Sequence, residues 1–473
     1  MKTVSILLLL AAFPTGILPA QEKPALDYNS IRLESLPRDA RGYLKPEIWD
    51  IVEAEAKIHP TANEARAIES RPIYQGYYAT YAHWTPPEQP KVKEGRLRNL
   101  SETPKEPRFP LTDKVWPERP GDASVCLWEG DKLAAMSLSI DDNCAADIPY
   151  WKELSKKYGG LNLTWNIITA NVDGAIDKPR GPMSGTWDTW RNLFAEGFHI
   201  TSHSVTHLGD PVPADGWPGA EWEAAESIRH IDSHLPGHKT TMFVYPGAGV
   251  RVFGILGAYY PNSTWRADIV KHYASARGGG GQPINEANQI DYFNIHSTTS
   301  ILGILESADP KNAPYNLNNL FAADPASPFH RYYRGWASVF IHYINAGKAF
   351  DTAPYTVAYG KVLAFYNDHR ADLWTGFLDD VALYGQERDT ASLQTTEASE
   401  ARISFNLTTK MDPDIFSYPL TVKVRLPGSW KSATALQNGQ PLPVETILNN
   451  GAPYALVKAV PDRGLVTLTR AAQ

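Results

Sequence analysis

At 473 residues the chain is too long for one compact core, and its length implies two or three domains. A net charge of −7 argues against a nucleic-acid binder, which would show a basic face. Fourteen Trp and 23 Tyr are mostly core material, but planar rings also stack on sugars, so a carbohydrate ligand is permitted. The composition leaves the oligomeric state open.

Residues 1–20 read as a secretory signal: Lys2 supplies the positive start, Ile6 to Phe13 the apolar run, and Ala20 the small residue before a cut at Gln21. That run is too short for a membrane span, and no later stretch is long and apolar enough. The expected product is soluble and secreted or periplasmic. Residues 21–120 form a polar, increasingly proline-rich extension. The spacing of Ile48, Ile51, Val52 and Ile58 predicts a helix over Pro46 to His59. Thr85 to Pro120 predicts a loop wrapped on the next domain, a packing extension without chemistry.

Residues 121–395 alternate short apolar strands with amphipathic helices. Val125 to Trp128 and Leu133 to Ile140 predict a hairpin about Glu129-Gly-Asp-Lys132. Pro149 opens a helix carrying Tyr150, Trp151, Leu154 and Tyr158, which Gly159-Gly160 stops. Leu161 to Thr169 predicts a strand, Trp187 to Gly197 a helix, and Phe198 to Ser202 a strand. A helix through Trp222, Ala225, Ile228 and Ile231 leads to a strand at Thr241 to Tyr245. Val339 to Tyr343 is a further strand, and a last helix spans about Leu373 to Gln386. This order implies a mainly parallel sheet with helices outside, either open or closed as a barrel. The run Gly278 to Gly281 has no Lys-Ser/Thr after it and is no phosphate loop.

Residues 396–473 change character. Ile403 to Leu407, Leu420 to Leu426, Tyr454 to Ala459 and Leu465 to Leu468 alternate apolar and polar residues, and Asn438-Gly439 supplies a hairpin turn. A small C-terminal β-sandwich is expected. Cys126 and Cys144 are expected to be free thiols. In the hairpin register Cys144 falls ~30 Å beyond Cys126's partner at ~3.3 Å per residue, where a bridge needs Cα atoms within ~7 Å.

The stretch Met136-Ser-Leu-Ser-Ile-Asp-Asp-Asn143 carries the first chemistry. Leu138 and Ile140 alternate with Ser137 and Ser139, predicting a strand with one buried face that ends on two acids, Asp141 and Asp142. Strand ends are where α/β folds gather catalytic groups. The second stretch is Ser202-His-Ser-Val-Thr-His207, which also follows a strand. On a helical turn His203 and His207 share one face. Two imidazoles plus a carboxylate form a three-ligand set that suits Zn²⁺ and leaves a position open. His199, inside the strand, reads as structural.

Ser-Ile-Asp-Asp-Asn followed by Ser-His-Ser-Val-Thr-His resembles the first two motifs of the polysaccharide deacetylases, the NodB-homology group of carbohydrate esterase family 4. The second motif, His-Ser/Thr-x-x-His, is matched in full. The first, Thr-Phe-Asp-Asp-Gly, keeps both acids but has Ser139, Ile140 and Asn143 at its other positions. The resemblance covers roughly residues 125–390 and implies an irregular (β/α) barrel of the NodB-homology type. By that resemblance Asp141 is the general base that takes a proton from the attacking water. Asp142, His203 and His207 hold a divalent metal, Zn²⁺ foremost, with Co²⁺ or Ni²⁺ as alternatives. Val339-Phe-Ile-His342 is similar to the fifth motif and makes His342 the general acid. Phe-Val-Tyr-Pro-Gly247 is similar to the third, so Tyr245 and Pro246 border the substrate and a nearby backbone N–H faces the oxyanion. Tyr245 stands where the family has an Arg beside the base, and Arg251 and Arg277 are the candidates to replace it.

The implied activity is removal of N- or O-linked acetyl groups from a polysaccharide or oligosaccharide. A carbohydrate-binding protein on a degenerate barrel without turnover is the alternative. A hydrolase opening a cyclic amide is a third, against which the histidine pair argues. Trp336 and Trp374 read as core, and Asn162-Leu-Thr and Asn262-Ser-Thr match the glycosylation pattern.

Overall fold

The structure, a computed structural model, describes residues 72–89, 91–102, 108–174, 176, 184–207, 216–246, 251–252, 255–256, 264–278, 282–298, 310–342 and 353–471. The expected signal and the helix at Pro46 to His59 lie outside them. In chain order the first strands are β1 (Ala123–Val125), β2 (Ala134–Ile140), β3 (Leu163–Ile167), β4 (His199–Ser202), β5 (Met242–Val244) and β6 (Arg251–Val252). Next come β7 (Ile255–Leu256), β8 (Ser275–Arg277), β9 (Ile284–Asn285), β10 (Trp336–Ile341) and β11 (Leu373–Thr375). The C-terminal region adds β12 (Ser392–Ala398), β13 (Arg402–Thr408), β14 (Leu420–Arg425) and β15 (Ala433–Gln437). It ends with β16 (Gln440–Leu442), β17 (Val444–Asn449), β18 (Ala452–Ala459) and β19 (Val466–Arg470).

The main sheet runs β8-β5-β4-β3-β2-β10-β9, with β11 also on β2. All of its pairings are parallel except β9 against β10. Single bridges join Arg277 to Ile295 and Thr298 to Val339, so the segment 295–298 links β8 at one edge to β10 near the other, and the sheet curls into a half-barrel. The expected helices occupy Ile148–Lys157, Trp187–Ala195 and Ala220–His234. Thr186 caps the second of these through the Thr189 amide. Among the described residues no helix is long and apolar enough to cross a membrane.

Three expectations are corrected. No hairpin joins the residues before β2 to it. β1 instead pairs antiparallel with β14 of the C-terminal region, and Gly130, at φ 65°, turns the chain between β1 and β2. The reason is burial: all seven residues of β2 are buried, Ser137 and Ser139 included, because β2 lies inside a parallel sheet covered on both faces. The segment from Leu373 is not one helix. Leu373–Thr375 pairs with Ala134–Met136, and the helix begins only at Leu378 and runs to Thr390. Gly376 makes the corner, where a Cβ would sit 2.6 Å from Val381 Cγ2. A further helix, Ala353–Asp368, occupies a stretch assigned no element from sequence.

The C-terminal strands form two antiparallel sheets, β1-β14-β18-β17 and β12-β13-β19-β15-β16. Phe405, Val422, Val457 and Leu468 bury their side chains in a shared core. Asn438 and Gly439, at φ 46° and 80°, make the two-residue turn between β15 and β16. The proline-rich loop wraps the surface as expected: the Asn99 side chain donates to the Val270 and Tyr273 carbonyls, and the Leu100 amide to Gln386. Both cysteines are buried, and no disulfide joins them.

Candidate active site

The site forms where β2, β4, β8 and β10 end. Asp141 extends β2 by one residue, its amide donating to the Ile341 carbonyl at 2.8 Å. Asp142, Asn143 and Cys144 then take φ of 59°, 63° and 46°, three consecutive left-handed residues that are not glycine. Such backbone persists only where surrounding bonds over-determine it. Here the Asn143 side chain accepts from the Ile168 amide at 2.8 Å and donates to the Ser184 carbonyl at 3.0 Å. The Cys144 thiol donates back to the Asp141 carbonyl at 3.0 Å.

His203 and His207 follow β4, but the link between them is not the expected helical turn. Ser204 and His207 are left-handed, at φ 70° and 57°, so a looped backbone brings the imidazoles together. Their Nε2 atoms stand 3.2 Å apart. Asp142 Oδ1 lies 3.4 Å from His203 Nε2 and 3.3 Å from His207 Nε2. His203 Nδ1–H donates to the Val244 carbonyl at 3.0 Å, which leaves the Nε2 lone pair free to coordinate. His342, just past β10, places Nε2 3.9 Å from Asp142 Oδ2 with its side chain about a third exposed, 34%.

These residues fit a divalent cation. Asp142 Oδ1 is buried and makes no aligned hydrogen bond among the described residues, and two imidazole nitrogens face it and each other. Three ligand atoms from Asp142, His203 and His207 lie within 4.8 Å of one another. Burial pushes the His207 imidazolium down to about 4, against Asp142, which favours it, so the ring is neutral at physiological pH. Burial alone raises Asp142, but His207, His203 and His342 outweigh it and hold the carboxyl below the usual range. An ionised carboxylate beside imidazole nitrogens is the donor set that zinc-like ions take.

Asp141 is buried beside this group, Oδ2 lying 3.8 Å from His203 Nε2. Arg277 Nη2 donates to both of its oxygens, and the Asn166 side-chain amide donates to Oδ1 at 2.6 Å. Burial raises the Asp141 pKa, but Arg277, with help from His203 and His342, more than reverses this and keeps it ionised. Arg277 ends β8, with its guanidinium 4.2 Å from the Phe340 ring centre. The Arg251 side chain and Gly247 lie outside the described residues. Asn166 went unnoticed in sequence because nothing local marks an Asn within a strand as a partner for an acid.

Tyr245 is nearly fully buried, packed 5.3 Å from Phe243, and its amide donates to the Arg277 carbonyl at 3.1 Å. Its own N–H is therefore already engaged. Pro246, also buried, has no N–H to offer. Trp336 and Trp374 are core, and Trp336 Nε1 donates to Ser137. The Asn162 side chain donates to the Thr375 carbonyl. His199 is bound by both Asp379 oxygens at 2.9 Å and stacks on Phe377 at 3.7 Å, a structural arrangement.

No family model matches the chain. Over 387 residues, 79% of its length, it is 34% identical to a gellan lyase from a Bacillus species, of which it spans only 14%. Solved structures that match include a deacetylase from Streptococcus pyogenes, at 18% identity and TM-score 0.26, covering 33% of this chain and 61% of that one. A peptidoglycan deacetylase from Bacillus subtilis matches at 14% identity and TM-score 0.28, covering 53% and 90%. A family 4 carbohydrate esterase from Bacillus anthracis matches at 12% identity and TM-score 0.28, covering 53% and 82%.

Proposed function

We propose that the chain is an exported, metal-dependent hydrolase that removes acetyl groups from a polysaccharide, on an irregular (β/α) barrel of the NodB-homology type. One observation carries this reading: a buried carboxylate held by Arg277 stands beside a separate Asp-His-His ligand set. Lys2 and the apolar run to Phe13 support export.

Asp142, His203 and His207 would hold the cation, which supplies Lewis-acid polarisation of a carbonyl and acidifies water toward ~7. Asp141 accepts the proton of the attacking water, with Oδ2 directed to the histidine side of the site. Arg277 and Asn166 fix its carboxylate and keep it ionised in a buried setting. His342, on the exposed rim, donates a proton to the leaving nitrogen or oxygen. The step matters most for an amide, because an unprotonated amine leaves poorly.

The test is acetate release from N-acetylated and O-acetylated glycans, before and after chelation, with metal analysis of the purified protein and of Asp142→Ala and His207→Ala. We expect bound metal and acetate release in the parent and neither in the variants. Release that survives chelation unchanged sinks the metal mechanism, and no acetate from any glycan sinks the deacetylase. A polysaccharide lyase is the second reading, favoured by the name of the gellan lyase relative. It predicts chain cleavage with an unsaturated product end and no acetate.

A further inference from the structure

The loop between the two histidines is held by a carboxylate with no place in the mechanism above. Glu223 lies in the first turn of the helix Ala220–His234 and is fully buried. Its Oε2 accepts the Val205 amide at 2.8 Å and the Thr206 amide at 2.9 Å. Its Oε1 accepts the Thr206 hydroxyl and, at 2.9 Å, Trp217 Nε1. Four donors thus converge on one side chain, and the two amides belong to the middle of the His203-to-His207 link.

This explains how a His-x-x-x-His spacing works without a helix. A looped backbone leaves its central N–H groups without intrachain acceptors, and buried orphan donors are costly. A carboxylate accepting both fixes the peptide planes, and with them the direction in which His207 leaves the loop. Ser204 Oγ accepts the His207 amide at 2.9 Å and completes the brace. Tyr78, buried in the N-terminal segment, reaches the same point, its hydroxyl 3.3 Å from Thr206 Oγ1. Residues that orient metal ligands without touching the metal commonly alter affinity ~10–100-fold.

We propose that Glu223 is a positioning residue that sets the metal affinity of the site by holding the His203–His207 loop. The inference rests on the reading of Asp142, His203 and His207 as a metal site. It extends that reading to a residue on another element.

The experiment titrates Co²⁺ alone into the chelator-stripped full chain, reading affinity by competition with a chromophoric chelator and geometry by the visible Co²⁺ spectrum. Apo melting temperatures run alongside. Glu223→Leu is expected to weaken Co²⁺ by ~10-fold or more and change the spectrum. Glu223→Gln, which keeps an acceptor for the two amides, recovers most of the affinity. Should the Leu variant fail to fold, Glu223→Asp, one methylene short, carries the same expectation. Wild-type affinity and spectrum in the Leu or Asp variant overturn the proposal. A parent chain that takes up no Co²⁺ overturns the metal site itself, a different result.

Discussion

Arg277 Nη2 lies 2.5 Å from each carboxylate oxygen of Asp141, although the two residues are 136 positions apart. Both side chains are almost fully buried, so the pair is neither screened nor replaceable by water. Arg277 therefore stands as the partner for the proposed base, and it arrives from the end of β8 rather than from the position of Tyr245.

Arg277→Met should lower the rate of acetate release by ~10²-fold or more. The sign of the pH effect follows from the pairing. Arg277 holds the Asp141 pKa below its ordinary value, and the proposed base works ionised. Removing Arg277 lets burial raise that pKa, so the acid limb of the rate profile moves to higher pH. Breaking a buried pair on one side also costs ~3–5 kcal/mol of stability, which denaturant titration reads. An unchanged acid limb would refute the pairing's role.

His342→Gln separates acid catalysis from metal binding. The variant should retain metal while losing ~10²–10⁴-fold in rate on N-acetyl substrates and less on O-acetyl ones, whose leaving group needs less protonation. Equal losses on both substrates, or loss of metal, would show that His342 has another task.

The His199–Asp379 pair predicts a stability change at alkaline pH. Burial opposes the charged ring, but Asp379 more than compensates and raises His199 from the ordinary 6.5 to about 9. A raised folded value means the contribution is complete below about pH 6.5 and is lost as pH climbs through 9. Asp379 itself is held low by His199 despite its burial, so the pair also weakens in strong acid. His199→Gln should flatten the alkaline fall in melting temperature without altering acetate release, checked by melting scans across pH.

Glu387 adds a slope of the same sign that begins at lower pH. It is fully buried in the helix Leu378–Thr390, with Oε2 accepting the Tyr418 amide and Oε1 without a hydrogen-bond partner among the described residues. Burial pushes its carboxyl up from 4.5 to about 9. The folded chain thus keeps a proton that the unfolded chain releases, and stability falls as pH rises between those values. Glu387→Gln removes this slope, so the variant gains melting temperature over the parent as pH rises from about 4.5 toward 9, with no gain near pH 4. Parallel melting curves for the two chains count against it.

The sequence by itself determined what depends on neighbours along the chain. Apolar spacing gave the helices at Ile148–Lys157, Trp187–Ala195 and Ala220–His234, and Asn438-Gly439 gave the hairpin turn because only such residues accept positive φ cheaply. The paired acids after one strand and the paired histidines after another were legible for the same reason. Tertiary structure decided everything that depends on which strands become neighbours. It set β2 between parallel partners with both faces buried, sent β1 to the C-terminal sheet, and put Arg277 against Asp141. It also replaced a helical turn at His203 by a loop braced from Glu223. A buried charge takes whichever partner the sheet order brings within reach, and no local pattern records that order.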